Sequence, residues 1–213
     1  MSIFAIHIHG YNVEDYRQTI GKLEREFRKM GIESSVLVYH ADTIRETRIK
    51  NPDVARRLAE AILRHQADGD AVIVTAHSNG ATILRLAWEN YLASPEVAIC
   101  IQPALPSNTH PSPNAEVVKV LWNPSDLVVK HGRFLTWVIR HVIPRWVKDR
   151  DWGEMGATGY TGVSPDIINE NTMDYLVPAS GHSGIFRGDA ALVNLPMIAF
   201  WAVQMARSIE DSN

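Results

Sequence analysis

The stretch Asp70-Ala-Val-Ile-Val-Thr-Ala-His-Ser78-Asn-Gly-Ala-Thr-Ile-Leu-Arg-Leu-Ala-Trp-Glu-Asn-Tyr-Leu92 decides the fold. Its first part, through Thr75, is apolar and β-branched and reads as a buried parallel strand. Its last part, from Ala81, repeats apolar residues at helical spacing. Between them stands Ala76-His77-Ser78-Asn79-Gly80, a serine flanked by small residues at a sharp strand-to-helix turn. Such a turn strains the serine backbone, so bulky neighbours at Ala76 and Gly80 would collide. It lifts the hydroxyl clear of the sheet and aims the first N–H groups of the helix at whatever Ser78 attacks. The bland alternative is an ordinary turn in which Ser78 caps the helix.

Working outward, strand and helix patterns alternate. Residues 3–8 read as a strand, 13–30 as a charged amphipathic helix ended by Gly31, and 35–40 as a second strand. Residues 53–66 read as a helix with Pro52 just inside its start. Strands are expected at 97–101 and 117–122, and a strong helix carrying Phe200 and Trp201 at about 192–209. Residues 106–115 and 152–180 look irregular. Strands separated by helical connections imply an α/β fold, with a mainly parallel sheet of five or six strands covered by helices on both faces. The 213 residues suit a single domain spanning 1–213.

Ligands of open parallel sheets bind outside the carboxyl ends of the strands, and reactive residues follow several strand ends. The first strand runs into His9-Gly10-Tyr11-Asn12, where a backbone N–H can face a reacting carbonyl. The backbone N–H groups of Tyr11 and Asn79 are therefore the candidate oxyanion donors; the alternative is a turn in which Gly10 only supplies a positive φ. The strand at 117–122 runs into Asn123-Pro-Ser-Asp126, whose carboxylate can orient a histidine or simply form an Asx-turn or helix cap. Asp151, Asp166 and Asp174 are rival acids. Of nine histidines, His182 is the best base, because it lies in the small-residue loop Ser180-Gly-His-Ser-Gly184 just before the final helix. His77 belongs to the elbow and faces the core. His7 and His9 share a strand face, yet no spaced carboxylates or cysteines complete a metal site around them. His110, His131 and His141 are expected at the surface or on a lid.

Other classes are disfavoured. A net charge of −3 gives no reason to expect a nucleic-acid partner. Cys100, the single cysteine, sits in an apolar run and reads as an inert core residue. No signal peptide and no apolar stretch of spanning length is seen, so a soluble cytoplasmic protein without a transmembrane segment is expected.

His-Gly-Tyr-Asn-Val near the start, followed by His-Ser-x-Gly, resembles the α/β-hydrolase superfamily of lipases, esterases and related serine hydrolases. The order Ser78, Asp126, His182 is the one that superfamily requires. Ala76 replaces its usual glycine, and the first strands of larger members are missing, which leaves a size similar to minimal cutinase-like members. The resemblance implies a Ser78–His182–Asp126 triad, an oxyanion hole from Tyr11 and Asn79, and cleavage of a carboxylic ester (lipid, short-chain ester or thioester) without metal or organic cofactor. An amidase or peptidase with the same triad, or a non-catalytic binding protein of this fold, are the alternatives. Residues 130–150 are basic and aromatic with helical spacing. They form either a helix packed on the sheet or a lid that meets acyl chains or a lipid surface.

Overall fold

The computed structural model describes residues 2–10, 16–40, 44–129, 153–175 and 177–211. The segment 130–150, and with it the candidate lid, lies outside the described residues, as does Tyr11. The elements are β1 (Ile3–Ile8), α1 (Ile20–Lys29), β2 (Glu33–Leu37), α2 (Ile44–Ala67), β3 (Ala71–His77), α3 (Gly80–Tyr91), β4 (Val97–Ile101), β5 (Val117–Trp122), α4 (Met155–Thr158), β6 (Ile167–Asn171), α5 (Thr172–Tyr175) and α6 (Gly188–Glu210). All six strands are parallel, in the order β2-β1-β3-β4-β5-β6.

Alternation along the strands divides the core into two layers. Phe4, Ile6 and Ile8 of β1, with Val72, Val74 and Ala76 of β3, pack against Val54, Leu58 and Ile62 of α2 and Ile83 and Leu84 of α3. The opposite positions, Ala5, Ile73, Ile99 and Leu121, pack against Leu23 and Phe27 of α1 and Leu195, Ile198 and Val203 of α6. Helix α1 shows why its sequence folds so: Ile20, Leu23 and Phe27 form one buried stripe, while Glu24 and Arg28 pair on the outer face. It stops at Met30, and Gly31 takes φ 77°.

Several boundaries differ from the sequence expectation: α1 begins at Ile20 instead of residue 13, and α6 at Gly188 instead of about 192. Helix α2 begins at Ile44, so Pro52 lies in its interior instead of at its start. Tertiary contacts override the proline there, because Thr47 and Asn51 are buried and Asn51 is hydrogen-bonded to Asn79. Strand β2 spans residues 33–37 rather than 35–40. Its pairing with β1 ends where β1 ends, at Ile8↔Leu37, and the chain beyond turns Tyr39 inward. Strand β6 falls inside the passage expected to be irregular. Among the described residues it is a polar edge strand paired with β5 alone, and an edge strand that carries charge gives little apolar signal.

Helix α6 is long and apolar enough to cross a membrane by length and composition. Here it buries Leu195, Ile198, Ala199, Ala202 and Val203 on the sheet as a core helix. Its Trp201 ring also receives the ammonium of Lys119 at 3.7 Å, and Lys119 pairs with Glu170 at 2.9 Å. A buried lysine is thus balanced by a carboxylate and an aromatic face. Cys100 is fully buried, and burial pushes its thiol up to about 12, as suits an inert core residue.

The register aligns the carboxyl ends of the central strands. Ile8 pairs with Ala76, His77 with Ile101, and Ile101 with Leu121. The residues that leave β1, β3, β4 and β5 therefore emerge along one edge of the sheet, and the candidate site is built there.

Candidate active site

Ser78 follows β3 and precedes α3, and its φ is 55°. A serine in the left-handed region is strained, and the surrounding structure must hold it there. Its N–H donates to the Ile101 carbonyl at 3.0 Å, and its own carbonyl accepts from Ala81 and from Ala104. The turn is thereby tied to β4 as well as to its own helix. Gly80 lets the helix come close to the sheet: a Cβ there would lie 2.9 Å from the Ile8 carbonyl oxygen.

Gly10 has a different reason for being glycine than a positive φ. It is not among the residues with positive φ, but a Cβ on it would lie 2.8 Å from the Ser78 Cβ and 3.4 Å from the Ser78 Oγ. At Gly10 the chain leaving β1 thus passes directly over the serine. Gly10→Ala is expected to fold with a displaced β1 exit and to lose about 100-fold in turnover, since a shift of about 1 Å at a reacting group costs that much. Turnover within about threefold of wild type would show that the approach of Gly10 does not matter.

Behind the elbow lies a buried polar network. Asn79 and Asn51 exchange side-chain hydrogen bonds at 3.1 Å, and Asn79 Nδ2 donates to the Tyr39 hydroxyl at 2.9 Å. The Tyr39 hydroxyl donates to the His9 carbonyl at 3.1 Å. His9 donates through Nδ1 to the Gly10 carbonyl at 2.7 Å and accepts the Tyr39 N–H at Nε2. Burial pushes the Tyr39 phenol up to about 12 and the His9 imidazole downward, so both stay neutral. The network holds the β1 exit against Asn79, the residue after Ser78. His9 stacks on Tyr39 at 4.3 Å in the α2–α3 layer, whereas His7 lies edge-on to Phe27 in the α1–α6 layer. The expected shared face of His7 and His9 is therefore corrected: β1 ends at Ile8, alternation stops, and the two rings do not form a chelating pair.

Asp126 and His182 meet. His182 Nδ1 lies 2.7 Å from Asp126 Oδ2, with the Asp126 side chain fully buried and that of His182 13% exposed. Donation from Nδ1 leaves the Nε2 lone pair free to accept a proton. Asp126 Oδ1 also accepts the Val129 N–H at 3.1 Å, so the carboxylate caps its own turn and binds the imidazole at once. No hydrogen bond joins Ser78 to His182 among the described residues. His77 lies between their elements, its ring 4.9 Å from the His182 ring, and its Nε2–H donates to the His182 carbonyl at 3.0 Å. Asn123 Nδ2 similarly donates to the Ala179 carbonyl at 2.7 Å.

Two further histidine–aspartate pairs compete with this one by distance alone. His65 meets Asp70 and His110 meets Asp166, each at 2.8 Å. Asp70 precedes β3 and Asp166 precedes β6, so both pairs lie at the amino-terminal edge of the sheet, away from Ser78. Asp174 is exposed on α5, and Asp151, His131 and His141 lie outside the described residues. The position of His110, expected at the surface or on a lid, is corrected. It is partly buried and tied to Asp166 across 56 residues of sequence.

The chain superposes on solved structures with this arrangement of strands and helices. A metagenome-derived lipolytic enzyme is similar with a TM-score of 0.58 and 12% identity, over 97% of this chain and 94% of that one. A serine hydrolase without lid from Xanthomonas campestris gives 0.54 and 16% identity, over 97% and 81%. The fold is the α/β-hydrolase fold. No family model and no curated protein sequence matches the chain. Within this α/β-hydrolase fold, Ser78 and Asp126 follow the carboxyl ends of β3 and β5, and His182 lies in the loop before α6.

Two histidines of the site region make stability depend on pH. Burial holds both His7 and His77 down to about 3, from an ordinary value of 6.5. In the unfolded chain both rings take a proton as pH falls through 6.5; in the fold they do not until about 3. Stability is therefore complete above pH 6.5 and drains across that window, by about 1.4 kcal/mol per pH unit for each histidine well inside it. Urea unfolding at about pH 7 and about pH 5 should show a clear loss at the lower pH. Equal stabilities at the two values would mean that neither ring is held neutral.

Sequence reasoning missed Gln102, Asn123 and His77 as supports of the site. The signal was available only in part: each is a polar residue immediately after, or at the end of, an apolar strand.

Proposed function

We propose that the protein is a serine hydrolase that cleaves a carboxylic ester through a Ser78–His182–Asp126 triad and an acyl-enzyme. The observation that carries this reading is the Asp126–His182 pair. It is a fully buried carboxylate on Nδ1 of a partly exposed imidazole, on the sheet edge where a serine is held at φ 55°. A buried carboxylate bound to a histidine at this edge fixes the tautomer whose other nitrogen can act as a base.

In this reading the Ser78 hydroxyl attacks the ester carbonyl while His182 Nε2 takes its proton. The tetrahedral oxyanion is held by the N–H of Asn79, which opens helix α3, and by the N–H of Tyr11. The Gly10 carbonyl is held by His9 Nδ1 and the Tyr39 hydroxyl, which fixes the end of the chain leaving β1 beside Ser78. The imidazolium then protonates the leaving alcohol, and water, activated by the same base, releases the acid. These steps require neither a metal nor an organic cofactor.

The experiment is labelling of the protein with a fluorophosphonate, followed by hydrolysis of p-nitrophenyl esters of increasing chain length beside a peptide p-nitroanilide. Labelling with ester turnover and little anilide turnover is the expected result. Preference for the anilide would make the enzyme an amidase of the same triad. Absence of both labelling and turnover would leave a binding protein of this fold.

A further inference from the structure

Strand β4 ends in a residue that the proposed reaction does not use and that the fold goes to some length to hold. Gln102 has φ 45° and is one of three non-glycine residues with positive φ among those described; Ser78 is another. The left-handed region is unfavourable for a side-chain-bearing residue of this kind and persists only where the surroundings over-determine it. They do so here. The Gln102 N–H donates to the Leu121 carbonyl at 2.7 Å. Gly156 covers its other side so closely that a Cβ there would lie 2.7 Å from the Gln102 carbonyl carbon. The Gly156 carbonyl in turn accepts the Asn123 N–H at 2.8 Å, joining this turn to the one that carries Asp126.

The side chain explains what is being held. Gln102 is 2% exposed, and its Nε2 donates to Asp126 Oδ2 at 3.3 Å and to the Gly181 carbonyl at 3.2 Å. Asp126 Oδ2 is the same oxygen that binds His182 Nδ1, and Gly181 immediately precedes His182. The amide orientation is fixed by chemistry, because the reverse would set Oε1 against a carboxylate and a carbonyl. Oε1 itself is buried without a partner among the described residues, which a residue selected for packing alone would avoid.

We propose that Gln102 is a positioning residue for the catalytic pair, its single amide group locking the acid and the base-bearing loop into one register. Together with His77 on the His182 carbonyl and Asn123 on the Ala179 carbonyl, it suspends the loop from the ends of three adjacent strands. Of the three, Gln102 is the one whose side chain also binds the Asp126 carboxylate. The inference rests on the serine hydrolase reading for its kinetic test, though not for its spectroscopic one.

The test uses the full chain with Gln102→Met and Gln102→Glu. Methionine keeps the volume, removes the donor and removes the unpartnered Oε1. Its kcat on p-nitrophenyl acetate should fall about 10- to 100-fold with KM within about threefold and Tm no lower than wild type. Glutamate places a second carboxylate beside Asp126, which favours the imidazolium, so the acid limb of kcat/KM should move to higher pH. The Nδ1 proton of His182, seen as a downfield resonance by NMR, should shift or broaden in Gln102→Met. Wild-type kcat in Gln102→Met with an unmoved limb in Gln102→Glu would overturn the proposal. A loss of Tm that accounts for the loss of activity in both variants would overturn it too, by making Gln102 a packing residue. A wild-type protein inert to esters and phosphonates would fail the hydrolase reading instead. An unchanged His182 resonance would then still refute the positioning role, and a shifted one would support it.

Discussion

Ser78→Ala is expected to abolish fluorophosphonate labelling and to lower ester hydrolysis by about 10⁴-fold or more, because the remaining site keeps binding and oxyanion contacts but has no nucleophile. His182→Ala should fall by a similar factor, since residues that act as a unit are not additive. The fold should survive either change. The backbone at Ser78 adds a sharper check: its φ of 55° suits glycine better than alanine. Ser78→Gly should be as inactive as Ser78→Ala yet more stable, by about 1 kcal/mol. Thermal melts beside turnover separate the two effects. Labelling that persisted in Ser78→Ala would remove Ser78 from the mechanism.

Asp126→Asn is expected to fold and to lose about 10³- to 10⁴-fold in turnover. Asp126 is fully buried and receives three donors: His182 Nδ1, Gln102 Nε2 and the Val129 N–H. An amide keeps the shape but can present an N–H to the imidazole. The ring then accepts at Nδ1 and carries its proton on Nε2, the nitrogen that must act as base. Asp166→Asn is the informative comparison. Asp166 makes an equally short contact with a histidine, but on the opposite edge of the sheet. It should therefore leave turnover within a few-fold of wild type and lower Tm instead, by loosening the His110 loop. A larger loss of turnover in Asp166→Asn than in Asp126→Asn would invert the assignment.

The site was legible in the sequence to the extent that its chemistry is local. Ser78 stands between a strand and a helix that both declare themselves by period, and β3 and α3 form as that pattern requires. Asp126 and His182 could be named as candidates because the one follows a strand and the other precedes a helix of clear type, but that they meet could not be read there. The supports were not legible. Nothing local marks Gln102 as strained, for its φ is imposed by Gly156 and Leu121, one 54 and the other 19 positions away. Nor does Gly10 announce that a serine 68 positions later stands where its Cβ would be.

The difference has one physical source. Amphipathic period, small residues at tight turns and the order of strands and helices act over a few residues, so the sequence alone determined a parallel α/β sheet and the strand-to-helix turn that carries Ser78. Which histidine meets which aspartate depends on register between strands. The three short histidine–aspartate contacts become distinguishable only when the sheet sets one at the carboxyl edge and two at the other. The start of α2 beyond Pro52, the polar edge strand β6 and the buried layer of Asn51, Asn79 and Tyr39 were likewise decided by tertiary contacts. There the energy of burying and pairing distant groups outweighs local preference.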